Sequence, residues 1–288
     1  MSVIIFAIAR AVPGDPVDIM LPLEADQATR DNLRRQLGVD KNLATQYVIW
    51  AGNVLKGDFG YSYRYRQDSF SLFRQRFPAT IQLALAALAL TAAVGIPVGI
   101  MSAVGRGGWM DSVAKVFAMA GQSMPTFLVG LIAILIFGVH LKLLPVYGRG
   151  GPENLIMPAV SLGWFSMAAV TRLTRSSMLN VLDSEYIKMA RIKGLPERVV
   201  IWKHALRNAS IPILTLVSLQ FGALLGGAVI IEKIFSWPGV GSLAVDAVFA
   251  RDYPTVQTVV VITSTIWVMV NLVVDILYAY VDPRIRYG

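Results

Sequence analysis

Five long stretches of this chain contain no aspartate, glutamate, lysine or arginine: Phe77–Gly105, Val116–Leu141, Asn154–Thr171, Asn208–Ile231 and Tyr253–Val274. A helix rises about 1.5 Å per residue, so crossing a hydrocarbon core takes about 20 mostly apolar residues. Each stretch meets or approaches that length. The shortest, Asn154–Thr171, is expected to continue as helix past Arg172 and Arg175, whose long side chains can snorkel. Charged residues make up 15% of the chain, against about 25% in an ordinary soluble protein. They crowd into the connections, as expected when bilayer is the solvent for part of the chain. The pattern predicts an all-α, polytopic membrane protein.

A sixth apolar stretch, Met1–Ala9, stops at Arg10. It covers only about half of a hydrocarbon core and lacks the basic start of a signal peptide. It reads as the outer end of a first helix whose beginning is missing. Orientation follows from lysine and arginine in the short connections. One set of connections holds Arg106, Lys115, eight basic residues from Arg172 to Arg207, then Arg284 and Arg286. The alternate set holds only Lys142, Arg149, Lys233 and Arg251. The richer set is predicted to be cytoplasmic, with the C-terminus inside and Arg10–Arg76 outside. That outer segment reads as a small folded element. Helical patterns run near Thr29–Leu37 and Leu43–Leu55, and Gly57, Gly60 and the Tyr61–Arg66 alternation suggest a turn and a short strand.

Several classes drop out. The chain has no cysteine, which excludes disulfides and thiolate metal sites. The histidines, His140 and His204, are too far apart in sequence to suggest a zinc or haem site; His140 reads as an outer-interface residue. The net charge of +8 belongs to residues flanking apolar spans, so membrane topology explains it better than nucleic acid. There is no G-x-x-x-x-G-K-[ST] phosphate loop, and no set of reactive groups that would make an enzyme site. Pro97 and Pro125 fall inside spans and are predicted to kink them. Gly222–Gly226 and Gly95–Gly99 have the G-x-x-x-G spacing of close helix approach; Gly222 and Gly226 suit packing within the chain or an interface with a second membrane chain. Gln82, Gln122, Ser123, Met124 and Asn271 are polar or soft groups that could face a path through the bundle, or act as interhelical glue. Asp275, Glu232 and Lys233 sit near span ends and read as interfacial.

The stretch Asp183–Arg207 is the most informative. Asp183 or Ser184 can cap a helix start, and Glu185 suits its first turn. Gly194 is a natural stop because it tolerates the left-handed conformation. Pro196 and Glu197 then open a second helix, on which Val199, Trp202 and Leu206 are expected along one face. Two short helices at a glycine corner make a compact knob. Composition alone leaves two readings open, linker or docking element.

The run from Ala190 to Gly194, followed by His204-Ala-Leu-Arg-Asn208, resembles the cytoplasmic signature of type I ABC importer permeases, in the dipeptide, oligopeptide, glutathione and nickel branch. Further motifs of that branch follow in order. Pro13-Gly-Asp-Pro16 comes after the first helix, then Gly57-Asp-Phe-Gly60 and Ser62, then Pro78-Ala-Thr80. Ser123-Met-Pro125, Trp237-Pro-Gly-Val-Gly241, Arg251-Asp-Tyr-Pro254 and Asp282-Pro-Arg-Ile-Arg-Tyr287 complete the set. The chain departs from the general importer signature at Met189-Ala-Arg191 and at Arg207, where the signature has a glutamate with alanines and a proline.

The resemblance implies six helices, the first incomplete here. It divides the chain at residues 1–76, 77–281 and 282–288, with a coupling loop at 183–207. It implies that Glu185, Ala190 and Gly194 fit a groove on an ATP-binding subunit, with the run Leu195, Pro196, Arg198, Val199, Trp202 and Lys203. The implied partners are two ATP-binding subunits, a second permease, an external solute-binding protein and the lipid of an inner membrane. ATP and magnesium would be used by the partners, and this chain would bind no cofactor. The implied cargo is a peptide or glutathione, with nickel or another small solute as the alternative. A carrier driven by an ion gradient is the reading from another class. It calls for charged residues at the bilayer midplane and inverted repeats, and neither is evident.

Overall fold

A computed structural model of the chain describes residues 2–11, 26–37, 40–62 and 64–281. The Pro13–Pro16 and Asp282–Tyr287 motifs and Tyr63 lie outside the described residues, as does the side chain of Asp275. The chain forms two compact units: residues 1–79 with 238–266, and residues 80–237 with 267–288.

The first unit holds α1 (Ser2–Ala11), α2 (Gln27–Leu37), α3 (Leu43–Leu55) and an antiparallel hairpin of β1 (Tyr61–Ser62) and β2 (Gln67–Asp68). The two helical patterns and the turn expected between Arg10 and Arg76 are therefore present. Asn42 caps α3, its side-chain oxygen accepting from the Thr45 amide at 2.8 Å; this satisfies one of the donors that a helix start leaves open. Phe6 packs on Tyr47 and Trp50 with ring centroids 5.6 Å away in each case. The start of α4 (Ser69–Val104), all of α10 (Val240–Phe249) and the first part of α11 (Tyr253–Val281) complete this unit. Leu72, Phe73, Val240, Leu243 and Val259 form its apolar core.

Two of the quoted motifs meet in this unit. The buried Asp252 accepts from Ser62 Oγ and, at 2.8 Å, from Thr255 Oγ1. Gly60 has φ +86°, and a Cβ there would stand 3.2 Å from Pro254. A larger residue would be strained in backbone and crowded at once. Gly57–Ser62 and Arg251–Pro254 are thus halves of one packed polar joint.

The second unit is a helical bundle centred on α7 (Glu153–Leu182). Of α7's most apolar window, 61% is buried, against 28% for α9 (Glu197–Ile234). α7 packs against α5 (Trp109–Ser123), α6 (Thr126–His140) and α9. It runs unbroken past Arg172 and Arg175, as expected. Ser161 and Thr171 are buried and donate to the carbonyls four residues back, Met157 and Met167, so their hydroxyls cost little inside the bundle. Gly95 and Gly99 bring α4 close to α7: a Cβ at Gly99 would lie 2.6 Å from Thr174 Cβ.

Three expectations are corrected. The stretch Val116–Leu141 is not one continuous kinked helix. Its helix begins earlier, at Trp109, ends at Ser123 and restarts at Thr126 with a 108° bend. Pro125 supplies no amide and forces Met124 out of the helical region, to φ −94°, ψ 123°, which breaks the ladder rather than bending it. Pro97, by contrast, sits within an uninterrupted α4. Second, Glu232 is not on the protein surface at the span's end: it is fully buried and accepts from Thr80 Oγ1 at 2.6 Å. Third, the helix after Pro196 is not short. It continues through a π-helical turn, Val200–Ala205, to Ile234.

Four helices are long and apolar enough to cross a membrane, or five if the bent α5–α6 pair is one span. Large apolar side chains such as Trp267, Val268, Met269 and Leu272 are exposed along α11. In water that surface would be a liability; in a bilayer it meets a solvent as apolar as itself.

Candidate functional site

The connection between α7 and α9 is an elbow built around α8 (Glu185–Ile192). Helix α7 ends at Leu182. Ser184 takes the extended N-cap conformation, but its hydroxyl donates back to the Val181 carbonyl instead of capping α8. Helix α8 ends at Ile192, and Gly194 follows with φ +76°. A Cβ on Gly194 would touch nothing within 4 Å. Its requirement for glycine is therefore conformational, since a side chain in the left-handed region costs about 1 kcal/mol or more. Pro196 is extended and precedes the first turn of α9, where its missing amide is harmless.

The elbow is locked on its inner side by packing. Ile187, Ala190, Val200 and Ala205 are buried with Met178, Leu182, Ala209 and Ile213. Asn208 on α9 donates to the Tyr186 hydroxyl at 2.8 Å. Across the corner, Arg191 makes a two-pronged pair with Glu197, at 3.2 Å and 2.7 Å. That hydrogen-bonded carboxylate raises the Arg191 pKa above its ordinary value. The Glu185 carboxylate, 2.7 Å from Lys188 Nζ, likewise raises the lysine.

The outer side presents a different surface. Tyr186, Met189, Ile192, Leu195 and Trp202 are exposed, Ile192 at 78%. Lys188, Lys193, Arg198 and Lys203 are exposed around them. Of the residues singled out from sequence, Glu185, Gly194, Leu195, Pro196, Arg198, Trp202 and Lys203 lie on this accessible surface. Ala190 faces the core and Val199 is half-buried. The expected face of Val199, Trp202 and Leu206 does not exist as such. The π-helical turn turns Val200 and Ala205 inward and leaves Trp202 52% exposed. Tyr186, Met189 and Ile192 were missed, although their i, i+3, i+6 spacing places them on one side of α8.

The candidate path residues are not gathered into one site. The exposed Gln82 accepts from Arg149 Nε at 2.9 Å, and Gln122 from Arg172 at 3.0 Å. Asn271 donates to the Trp267 carbonyl, one turn back on its own helix. Ser123 is exposed and Met124 half-buried at the α5–α6 break. Among the described residues no hydrogen bond joins any of these to another. Gly222 is buried against Trp267, its Cβ position 3.3 Å from the indole nitrogen, whereas Gly226 faces open space. Only Gly222 packs within the chain. Among the described residues no group of three or more His, Cys, Asp or Glu side chains could hold a metal ion.

Sequence reading also missed a buried carboxylate at the other end of α5. Asp111 is fully buried and accepts from Ser102 Oγ, the Gly107 amide, Lys115 Nζ and two nitrogens of Arg175. From sequence, Lys115 marks only topology and Arg175 a snorkelling side chain; neither points to this carboxylate.

A multi-helix membrane bundle carrying such an elbow is the architecture of an importer's transmembrane domain. The solved structure of the MetNI methionine ABC transporter, in an inward-facing form, aligns with 74% of this chain and 97% of its own matched chain, at TM-score 0.62 and 16% identity. An amino acid ABC transporter crystallised with histidines aligns at TM-score 0.55, also with 16% identity, over 73% of this chain and 94% of its own. These likenesses establish the fold. The family described as binding-protein-dependent transport system inner membrane component matches residues 95–287, and its N-terminal companion matches residues 1–84. The chain is 39% identical over 287 residues to the glutathione transport system permease protein GsiC of Escherichia coli K12, covering all of this chain and 94% of that one. It is 40% identical, over the same shares, to GsiC of Pectobacterium atrosepticum. The chain belongs to the family of inner membrane components of binding-protein-dependent transport systems. It is a multi-pass permease subunit of an ABC importer.

Proposed function

We propose that this permease carries a peptide-type solute, glutathione or a short peptide, inward across the membrane. The relatives at 39–40% identity over the whole chain are named for glutathione transport, and this supports the substrate class. In this reading residues 77–281 form the translocating domain, and the C-terminus is cytoplasmic on the charge asymmetry of the connections. Two ATP-binding subunits hydrolyse ATP with its magnesium ion, a second permease completes the path, and a binding protein delivers the solute from outside. The exposed face of α9 at Gly226, open to close approach, suits the second permease.

The elbow seats on an ATP-binding subunit. The observation that carries this is the surface of Tyr186, Met189, Ile192, Leu195 and Trp202, apolar and exposed beside a corner fixed from within. Exposed apolar residues ringed by charge are the anatomy of a docking patch. The chain has no cysteine, so Ile192→Cys provides a unique cross-linking position. Cross-linking of Ile192→Cys to a co-expressed ATP-binding subunit is the expected outcome. A fully assembled complex in which this position reaches no nucleotide-binding chain overturns the docking reading. For the substrate, uptake of labelled glutathione into proteoliposomes should require ATP and the binding protein. A binding protein whose melting temperature is raised by nickel but not by glutathione or dipeptides would overturn the peptide assignment.

A further inference from the structure

The Asp111 cluster plays no part in the proposed docking, yet its buried carboxylate accepts five hydrogen bonds. Oδ1 accepts from Ser102 Oγ at 2.7 Å and Arg175 Nε at 2.7 Å. Oδ2 accepts from Arg175 Nη2 at 3.1 Å, the Gly107 amide at 3.0 Å and Lys115 Nζ at 2.8 Å. The donors come from separate elements: α4 (Ser102), the 105–108 turn (Gly107), α5 (Lys115) and α7 (Arg175). A buried carboxylate without partners would be neutralised or expelled. One with five donors is a rigid node instead.

Its position along α7 gives the node a consequence. Arg175 lies two turns before Leu182, and α8 begins three residues after that helix ends. Further up, Gly95 and Gly99 hold α4 against α7 at backbone distance. A second, exposed pair, Arg106 with Asp183 at 3.5 Å, joins the same turn to the end of α7. The last two turns of α7 are therefore tethered to α4 and α5 just above the elbow. Without the tether, a push on α8 could be absorbed by bending those two turns.

We propose that Asp111 is a positioning residue for transport: it clasps α4, α5 and the end of α7 into one body, so that displacement of the elbow moves all three helices together. The proposal rests on the elbow as the seat of the ATP-binding subunit, and its test separates the two. Spin labels on Asn180→Cys (α7) and Val116→Cys (α5), both exposed, report the distance across the clasp in the assembled importer with ATP and without it. With native Asp111 the distance is expected to be the same in both states. In Asp111→Asn, where the anion is lost, it should broaden or shift with nucleotide, and glutathione uptake per ATP hydrolysed should fall several-fold. If the Asp111→Asn complex does not assemble, Arg175→Lys keeps the charge but loses the two-pronged geometry and is read the same way. A nucleotide-dependent distance with native Asp111 overturns the clasp. So does a variant whose distance stays fixed, or one whose uptake per ATP is unaltered. Failure of the ATP-binding subunit to cross-link at Ile192→Cys with the clasp distance still fixed would instead sink the elbow reading alone. If native importer takes up no glutathione, the substrate assignment fails and the distance measurement alone decides the clasp.

Discussion

Two corners of the bundle are built from the same parts and do opposite work. At 105–108 the chain turns through Gly107, φ +81°, and an arginine makes a two-pronged pair with Asp111. At the elbow it turns through Gly194, φ +76°, and Arg191 makes a two-pronged pair with Glu197. Neither glycine is crowded: a Cβ on either would meet nothing within 4 Å. The difference is burial and reach. The Asp111 side chain is 1% exposed and its arginine is 64 residues away; Glu197 is 52% exposed and its arginine is six residues away. The first pair joins helices distant in sequence, and its carboxylate has given up its water. The second only shapes the turn that contains it. Identical chemistry becomes a structural bond in one place and a local brace in the other, and the apolar residues left outside the brace are free for a partner.

The largest effect should follow from removing the buried anion. Asp111→Ala leaves Arg175 and the Ser102 and Gly107 donors without their acceptor. Breaking a buried pair on one side costs about 3–5 kcal/mol. Thermal unfolding of the purified permease in detergent should show a clearly lowered midpoint, with Lys115→Gln much milder because Lys115 is 52% exposed. A midpoint for Asp111→Ala within error of the parent would break the comparison, since the two corners would then be energetically alike.

The rough position of the apolar helices was legible because lipid tolerates so few charges that their absence marks them; their number was not, since the break at Pro125 leaves four spans or five. The ends were not legible either. Lys115 bounded the charge-free stretch, but it pairs with Asp111, as does Arg175, and α5 extends through both residues to Trp109. Glu232 looked like an interfacial residue, whereas Thr80, far away in sequence, receives it in the interior. The elbow's corner was readable because Gly194 and Pro196 each impose a backbone conformation locally. The face of the following helix was not, because a π-helical turn alters the period on which any face assignment rests. That Asp111 meets Arg175 is a tertiary fact, whereas the pairs of Glu185 with Lys188, Asp31 with Arg34 and Asp111 with Lys115 are written in the i, i+3 and i, i+4 spacing.

The middle of the range sharpens the comparison through the glycines. Gly107→Val and Gly194→Val both place a β-branched residue at positive φ with room for its side chain, so each should cost about 1–3 kcal/mol of backbone strain. The unfolding midpoints should fall by similar amounts. Their functional effects should differ: Gly194→Val distorts the surface offered to the ATP-binding subunit and should lower solute-stimulated ATP hydrolysis while insertion persists. Unchanged stimulation in a Gly194→Val importer that is fully assembled would argue that the elbow corner is only a linker.

The smallest effect is expected at the exposed brace. Glu197→Gln removes the charge from a pair that is about half in water, where an ion pair contributes about 0–1 kcal/mol and is screened by salt. The corner has independent supports: the conformation of Gly194, the burial of Ile187, Ala190 and Val200, and the Asn208–Tyr186 hydrogen bond. The unfolding midpoint should move little, and what difference there is should shrink as ionic strength rises. A large, salt-insensitive loss in Glu197→Gln would mean that the pair is desolvated in the working protein. Since both side chains are solvent-exposed in the isolated chain, only a surface contributed by another subunit could desolvate them. The same measurement made with and without the ATP-binding subunit would then locate that surface on the elbow.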